Sequence, residues 1–327
     1  MFSQKLSQYI LQHREDESYS KLTEQLYIEN SHLENNGVNI RQSKVNAIGE
    51  GLKKVSPIKP LSNIFGSRIL LKVTNICFAH CRYCFRRDDI GEKEGRISKE
   101  LLEEAYEKIA NLNNIREVVI SGGEPFVLPN QTMVSVIENL FKMPNVKRIR
   151  IDTSIFSHNP KRITGDLVDK MKGLKKKYDK QIIVIGHFTH YLELTQEVKD
   201  AADKFLYAGI PLRSHTPLLN RVNNSAETLI KLFSDLVDFG IHPYYLIHYI
   251  AHGRTKHFEV ALSEGLNIYD KVLQNSTGIE IPHYILYLKD GKGKKRLLSS
   301  NIEILGDGEY RVRDKNGDEY IHKDFGR

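Results

Sequence analysis

From Arg68 onward the chain alternates between two periodicities, and this feature most narrows what it can fold into. Short, nearly continuous apolar runs occupy residues 69–74, 116–120, 146–151, 182–188, 209–214 and 243–250. Between them, residues 98–110, 131–142, 163–176, 193–206 and 225–239 repeat apolar side chains at helical spacing. Apolar strands separated by amphipathic helices form a parallel sheet covered by helices, with ligands at the strands' carboxyl ends. About six such βα units predict an α/β fold built on an open, partial (β/α)6 barrel. A doubly wound sheet stays open as an alternative.

The flanks read differently. Residues 1–37 give one or two helices with Leu6, Tyr9, Ile10, Leu22, Leu26 and Tyr27 on a partly apolar face, and residues 38–65, with Gly49, Gly51, Pro57 and Pro60, read as a linker or wrapping segment. After the barrel come a helix around 259–274, a strand at 283–288 and a terminal hairpin turning at Asn316-Gly317. The expected division is therefore an N-terminal helical extension and linker (1–65), the barrel (66–258) and a C-terminal α+β segment (259–327).

No run of 18 apolar residues is present, and the first residues mix acids and bases unlike a leader peptide, so a soluble cytoplasmic protein is the expectation. The formal charge of +7 comes from 48 basic and 41 acidic residues dispersed among one another. With no basic stripe interleaved with aromatics, neither nucleic acid nor membrane is the expected partner.

All three cysteines, Cys77, Cys81 and Cys84, fall within eight residues directly after the first core strand. Three thiols in one short loop make no disulfide framework, but they can converge on one face of an iron–sulfur cube. A closed site needs four ligands and there is no fourth cysteine, which leaves one metal corner free. Zinc completed by His80 or another histidine is the competing account.

The spacing C-x3-C-x2-C resembles the signature of radical S-adenosylmethionine enzymes. That resemblance implies a [4Fe-4S] cluster whose open iron chelates S-adenosyl-L-methionine and cleaves it to a 5′-deoxyadenosyl radical. Ser121-Gly122-Gly123-Glu124-Pro125, closing the second core strand, resembles the motif that holds the amino group of this cofactor, and so points to Gly122, Gly123 and Glu124.

Over residues 60–300 the chain is most similar to the lysine 2,3-aminomutase family, through SRILLKVTNIC (67–77), CRYCFRR (81–87), AGIPLRSHTPLLNRVNN (208–224), HPYYL (242–246) and KHF (256–258). The family likeness implies pyridoxal 5′-phosphate as a further cofactor. Its Schiff-base lysine falls in the run Gly291–Arg296, where alignment favours Lys295 over Lys294. Arg68 matches the arginine on the cofactor phosphate and Arg86 the one on the substrate carboxylate. Taken locally, the same glycine-lysine run also reads as an exposed basic hairpin loop. The implied reaction is a 2,3-aminomutation, moving the α-amino group of an amino acid to the β carbon. The partners it implies are that amino acid and a reducing donor such as flavodoxin or ferredoxin; homo-oligomerisation is left open.

Four positions depart from the family pattern. Ile250 and Leu288 replace the two aspartates that hold lysine's distal ammonium, His215 replaces a frequent glutamine, and Ser154 a frequent arginine. A substrate other than lysine, with an apolar or small side chain, is therefore expected. A radical enzyme of the same type that lacks pyridoxal phosphate, acting on a peptide or small metabolite, is the alternative.

Overall fold

The computed structural model describes residues 6–27, 61–86, 90, 95–251, 253–288, 293–298, 302–313 and 318–324. One nine-stranded sheet carries the molecule: β1 (Leu61–Phe65), β2 (Arg68–Thr74), β3 (Glu117–Gly122), β4 (Arg148–Thr153), β5 (Gln181–His187), β6 (Leu212–Leu218), β7 (His242–His248), β8 (His283–Tyr287) and β9 (Lys294–Arg296). They lie in sequence order, β2 to β8 all parallel, with β1 and β9 added antiparallel at the two ends. The order does not close on itself, so the barrel is open, as the periodicity predicts.

The strand read from residues 283–288 becomes a seventh parallel strand rather than part of a separate layer. The sheet thus runs past residue 258, through a crossover helix, into β8 and β9.

Among the described residues, seven helices follow the strands or connect them: α3 (Lys99–Ala110), α4 (Asn130–Lys142), α5 (Ile155–His158), α6 (Gly165–Tyr178), α7 (Gln196–Tyr207), α8 (Ala226–Asp238) and α9 (Leu262–Asn275). Three of them start where a hydroxyl caps the first free amides: Ser98 accepts from Leu101 N, Thr164 from Leu167 N and Ser225 from Thr228 N. In α8 the buried positions Leu229, Leu232, Phe233 and Leu236 form one stripe against the sheet. The stripe joins the main apolar core, to which Leu218 of β6 and Leu246 of β7 also belong.

The N-terminal helices α1 (Gln8–Gln12) and α2 (Glu17–Tyr27) belong to a second apolar cluster, in which Tyr9, Ile10, Leu22, Leu26 and Tyr27 pack with Ala79, Leu219, Tyr249 and Phe258. At the other end, β10 (Ile302–Gly306), β11 (Glu309–Arg313) and β12 (Glu319–Lys323) form a separate antiparallel sheet. Strands β11 and β12 pair as the hairpin motif predicts, while its turn at Asn316-Gly317 lies outside the described residues. Asp324 ties this sheet to the start of α9, accepting from Leu262 N at 3.2 Å and from the Tyr310 hydroxyl at 3.0 Å.

Candidate functional site

The parallel strands deliver their carboxyl ends to one cavity of about 270 Å³. Cys77, Cys81 and Cys84 line it from the loop after β2, together with Gly122, Gly123 and Glu124 at the end of β3. Arg68, Arg86, Arg150, Asp152, His187, His215, Tyr245, Tyr287 and Lys294 line the remaining wall. Nearly every residue singled out from the sequence therefore meets in one place, although those residues span more than 200 positions of chain.

The glycine pair fixes the height of the cysteine loop. Gly123 N donates to Thr74 O at 2.7 Å and Glu124 N donates to Ile76 O at 2.7 Å, so the end of β3 is stitched to the strand that leads into Cys77. A Cβ on Gly122 would stand 2.2 Å from Thr74 O, and one on Gly123 2.3 Å from Ile76 O. Gly122 also has φ +128°, a conformation that side chains disfavour.

Glu124 turns inward. Its carboxylate accepts from Thr153 Oγ1 at 2.6 Å, Ser154 N at 2.7 Å and Phe126 N at 3.0 Å, tying the ends of β3 and β4 together. Burial pushes its carboxyl up to about 7 against the pull of those bonds. A carboxylate has about four acceptor positions, so one remains for a ligand. Ser154 thus acts here through its backbone N–H.

The cysteine loop is braced from behind. Cys84 N donates to Cys81 O at 3.1 Å, and the Tyr249 hydroxyl lies 2.9 Å from Tyr83 O. Burial, reinforced by neighbouring Cys84, pushes the Cys81 thiol well up, so the thiolate form calls for a cation beside it. Three soft donors on one loop, facing a cavity, fit a cluster with one open corner.

The cavity wall also carries cationic groups. Glu117 serves three guanidiniums at once: Arg148 Nε at 2.6 Å, Arg68 Nη1 at 3.6 Å and Arg150 Nη1 at 3.7 Å. Arg150 Nε also meets Asp152 at 2.8 Å. This excess of positive charge suits an anion such as a phosphate. Arg86 Nη1 donates to Gly122 O at 2.8 Å, while its buried Nε has no hydrogen-bond partner among the described residues. His215 Nε2 is likewise buried and unsatisfied, and the imidazole stacks between His187 (centroids 5.7 Å) and Tyr245 (5.2 Å). Desolvation lowers the pKa of both histidines, so neutral rings line this wall.

The lysine assignment changes with the strand register. In β9 Lys294 pairs with Tyr287 and Lys295 with Leu286. Alternation sends Lys294 and Tyr287 into the cavity, whereas Leu286 joins the apolar core on the other face and takes Lys295 with it. Lys294 donates to the Tyr245 hydroxyl, and burial, with Arg68 and Arg150 nearby, lowers its pKa to about 8. Lys295, favoured by alignment of the glycine run, does not line the cavity. Residues 289–292 of that run, Asp290 included, lie outside the described residues.

Leu288 does line the cavity, but Ile250 packs against the hydrophobic core, and Ile247 stands at the wall instead. Arg82 is only 4% exposed. Its guanidinium donates to Gln25 O at 2.8 Å and to His257 Nε2 at 3.2 Å. Arg87 falls outside the described residues. Arg150, Asp152, His187, Tyr287 and His158 are cavity residues that sequence reasoning missed. The readable signal for Arg150, Asp152 and His187 is polarity at the inward positions and carboxyl ends of otherwise apolar strands.

Known proteins share this pattern. Residues 71–262 match the family model described as the radical SAM superfamily. The L-lysine 2,3-aminomutase of Methanococcus maripaludis is 31% identical over 262 residues, covering 80% of this chain and 59% of its own length. The glutamate 2,3-aminomutase of Clostridioides difficile is 30% identical over 265 residues, covering 81% and 61%. A putative L-lysine 2,3-aminomutase of Aquifex aeolicus is 32% identical over 262 residues, covering 80% and 70%. The chain thus spans about three fifths of the length of the first two relatives.

Proposed function

Because this chain belongs to the radical S-adenosylmethionine superfamily, and within it to the family of the lysine and glutamate 2,3-aminomutases, we propose that it moves the α-amino group of an amino acid to the β carbon. The observation that carries this reading is the single cavity shared by the three cysteines, the Gly122-Gly123-Glu124 turn, Arg86, Arg68 and Lys294. When bound, the cluster and S-adenosylmethionine supply the 5′-deoxyadenosyl radical, and pyridoxal phosphate carries the migrating nitrogen.

Cys77, Cys81 and Cys84 would hold the cluster, on a loop kept in place by the close approach of Gly122 and Gly123 to Thr74 and Ile76. The remaining acceptor position of Glu124 suits the ammonium of S-adenosylmethionine. Lys294, its amine about half neutral near pH 8, is the nucleophile for the cofactor aldehyde. Arg68 and its charge cluster suit the phosphate, and Arg86 a substrate carboxylate. The buried walls keep water away from a reactive centre.

The substrate in this reading is not lysine. Among the described residues lining the cavity the carboxylates are Glu124 and Asp152, and both are already engaged. Leu288 faces the cavity with no charge to offer. A neutral side chain meets no unpaired partner there.

Anaerobic reconstitution with iron, sulfide and pyridoxal phosphate tests the proposal. The expected result is visible cluster absorption, a borohydride-fixed pyridoxyl group on the Lys294 peptide, and β-amino products from a mixture of amino acids with S-adenosylmethionine and reductant. One tetrahedral zinc and no iron would overturn it. A cluster without any pyridoxyl label would leave the superfamily chemistry and remove the aminomutase.

A further inference from the structure

His158 belongs to no motif, yet it stands against the cysteine loop. It closes α5, and its Nε2 lies 3.6 Å from Cys81 Sγ. The ring is 3% exposed and its Nδ1 has no hydrogen-bond partner among the described residues. A neutral imidazole carries one N–H. Placed on Nδ1 that proton would be a buried donor facing nothing, whereas on Nε2 it points at sulfur, so the surroundings select the Nε2–H tautomer.

The N-terminal helices hold the ring in this pose. The Ser7 hydroxyl donates to the His158 carbonyl, and the Tyr27 ring meets the imidazole edge-on at 5.5 Å. The same α2 is fastened to the cysteine loop, where Arg82 N donates to Leu26 O at 2.8 Å. Helix, histidine and cysteine form one braced unit.

We propose that His158 is a positioning residue that donates a hydrogen bond to the Cys81 thiolate and thereby raises the reduction potential of the cluster, with α1 and α2 as its brace. This rests on the cluster reading above. Reduction adds negative charge that is shared by the cysteine sulfurs, so an N–H···S bond is stronger in the reduced state and favours it. The bond would ease the electron transfer on which cleavage of S-adenosylmethionine depends.

The test is a mediated redox titration of the anaerobically reconstituted full chain, followed by electron paramagnetic resonance, with cluster content measured for each protein. His158→Phe keeps a ring and deletes the donor; its midpoint is expected below that of the wild type. His158→Gln puts an N–H near the former Nε2 and is expected to recover most of the difference. Should the phenylalanine prevent cluster assembly, His158→Leu serves the same comparison. Equal midpoints in loaded wild type, donor-deleted and glutamine proteins would overturn this inference alone. A wild-type chain that takes up no [4Fe-4S] cluster would overturn the functional reading, and this inference with it.

Discussion

The ammonium of Lys294 lies 4.0 Å from the centroid of the Tyr245 ring, inside the cavity, while its immediate neighbour Lys295 sits on the opposite face of β9. One residue of register decides which amine faces the cavity.

Lys294→Ala should abolish the borohydride-fixed pyridoxyl group and lower turnover on the order of 10³-fold or more. Lys295→Ala should keep both, and peptide mapping after reduction checks the pair. In the wild type, labelling at limiting time should rise about tenfold per pH unit up to a bend near pH 8, where the Lys294 amine is half neutral. The sign for stability follows the same shift. The folded value is depressed from 10.5 to about 8, so the unfolded chain binds more protons between those limits, and this group makes stability rise with pH across that window.

Gly123→Ala tests whether the turn after β3 sets the cysteine loop. The added Cβ would fall 2.3 Å from Ile76 O, a backbone atom that moves only if the loop moves. Destabilisation of about 2 kcal/mol or more is expected, with a lower iron content after reconstitution. Unchanged melting and unchanged iron loading would contradict the packing argument.

Arg82→Ala should detach the N-terminal helices. The arginine is buried against the carbonyls of Glu24 and Gln25, and its guanidinium lies 5.4 Å from the centroid of the Phe258 ring. Removing it leaves two carbonyls without their charged donor, a loss of about 2–3 kcal/mol. Limited proteolysis should then cut within α1 and α2 faster than in the wild type, with the barrel itself resistant.

These examples mark how far the sequence reaches. The parallel strands were legible because each is a short apolar run between helical patterns, and β2 to β7 fall within a few residues of their expected places. The seventh parallel strand, β8, was legible as a strand but not as part of the barrel, because its pairing with β7 is a long-range choice that local pattern does not encode. The cysteines and the glycine turn carry their chemistry in their spacing. Alignment preferred Lys295 to Lys294, but a glycine-rich run gives no alternation from which to read which lysine faces the cavity. Arg82 and His158 had no local signal at all: their roles arise where an N-terminal helix crosses a loop more than 50 positions away. Ile250 failed for a related reason, because alignment fixes a position along β7 and its exit, not the direction of the side chain.

The last prediction concerns the substrate. In the wild type an ε-ammonium directed toward Leu288 would be desolvated in a cavity whose described carboxylates, Glu124 and Asp152, are already committed to Thr153 and Arg150. An unpaired charge there costs about 3 kcal/mol, on the order of 100-fold in kcat/KM against a neutral amino acid of similar length. Competition between lysine and its neutral isosteres, with β-amino products resolved by mass spectrometry, measures that ratio directly. Leu288→Asp would supply a facing carboxylate, and should shift the ratio toward lysine while lowering turnover of the neutral substrate. A wild-type chain that prefers lysine, with a ratio that Leu288→Asp leaves unmoved, would mean that the distal ammonium finds its partner elsewhere on the cavity wall.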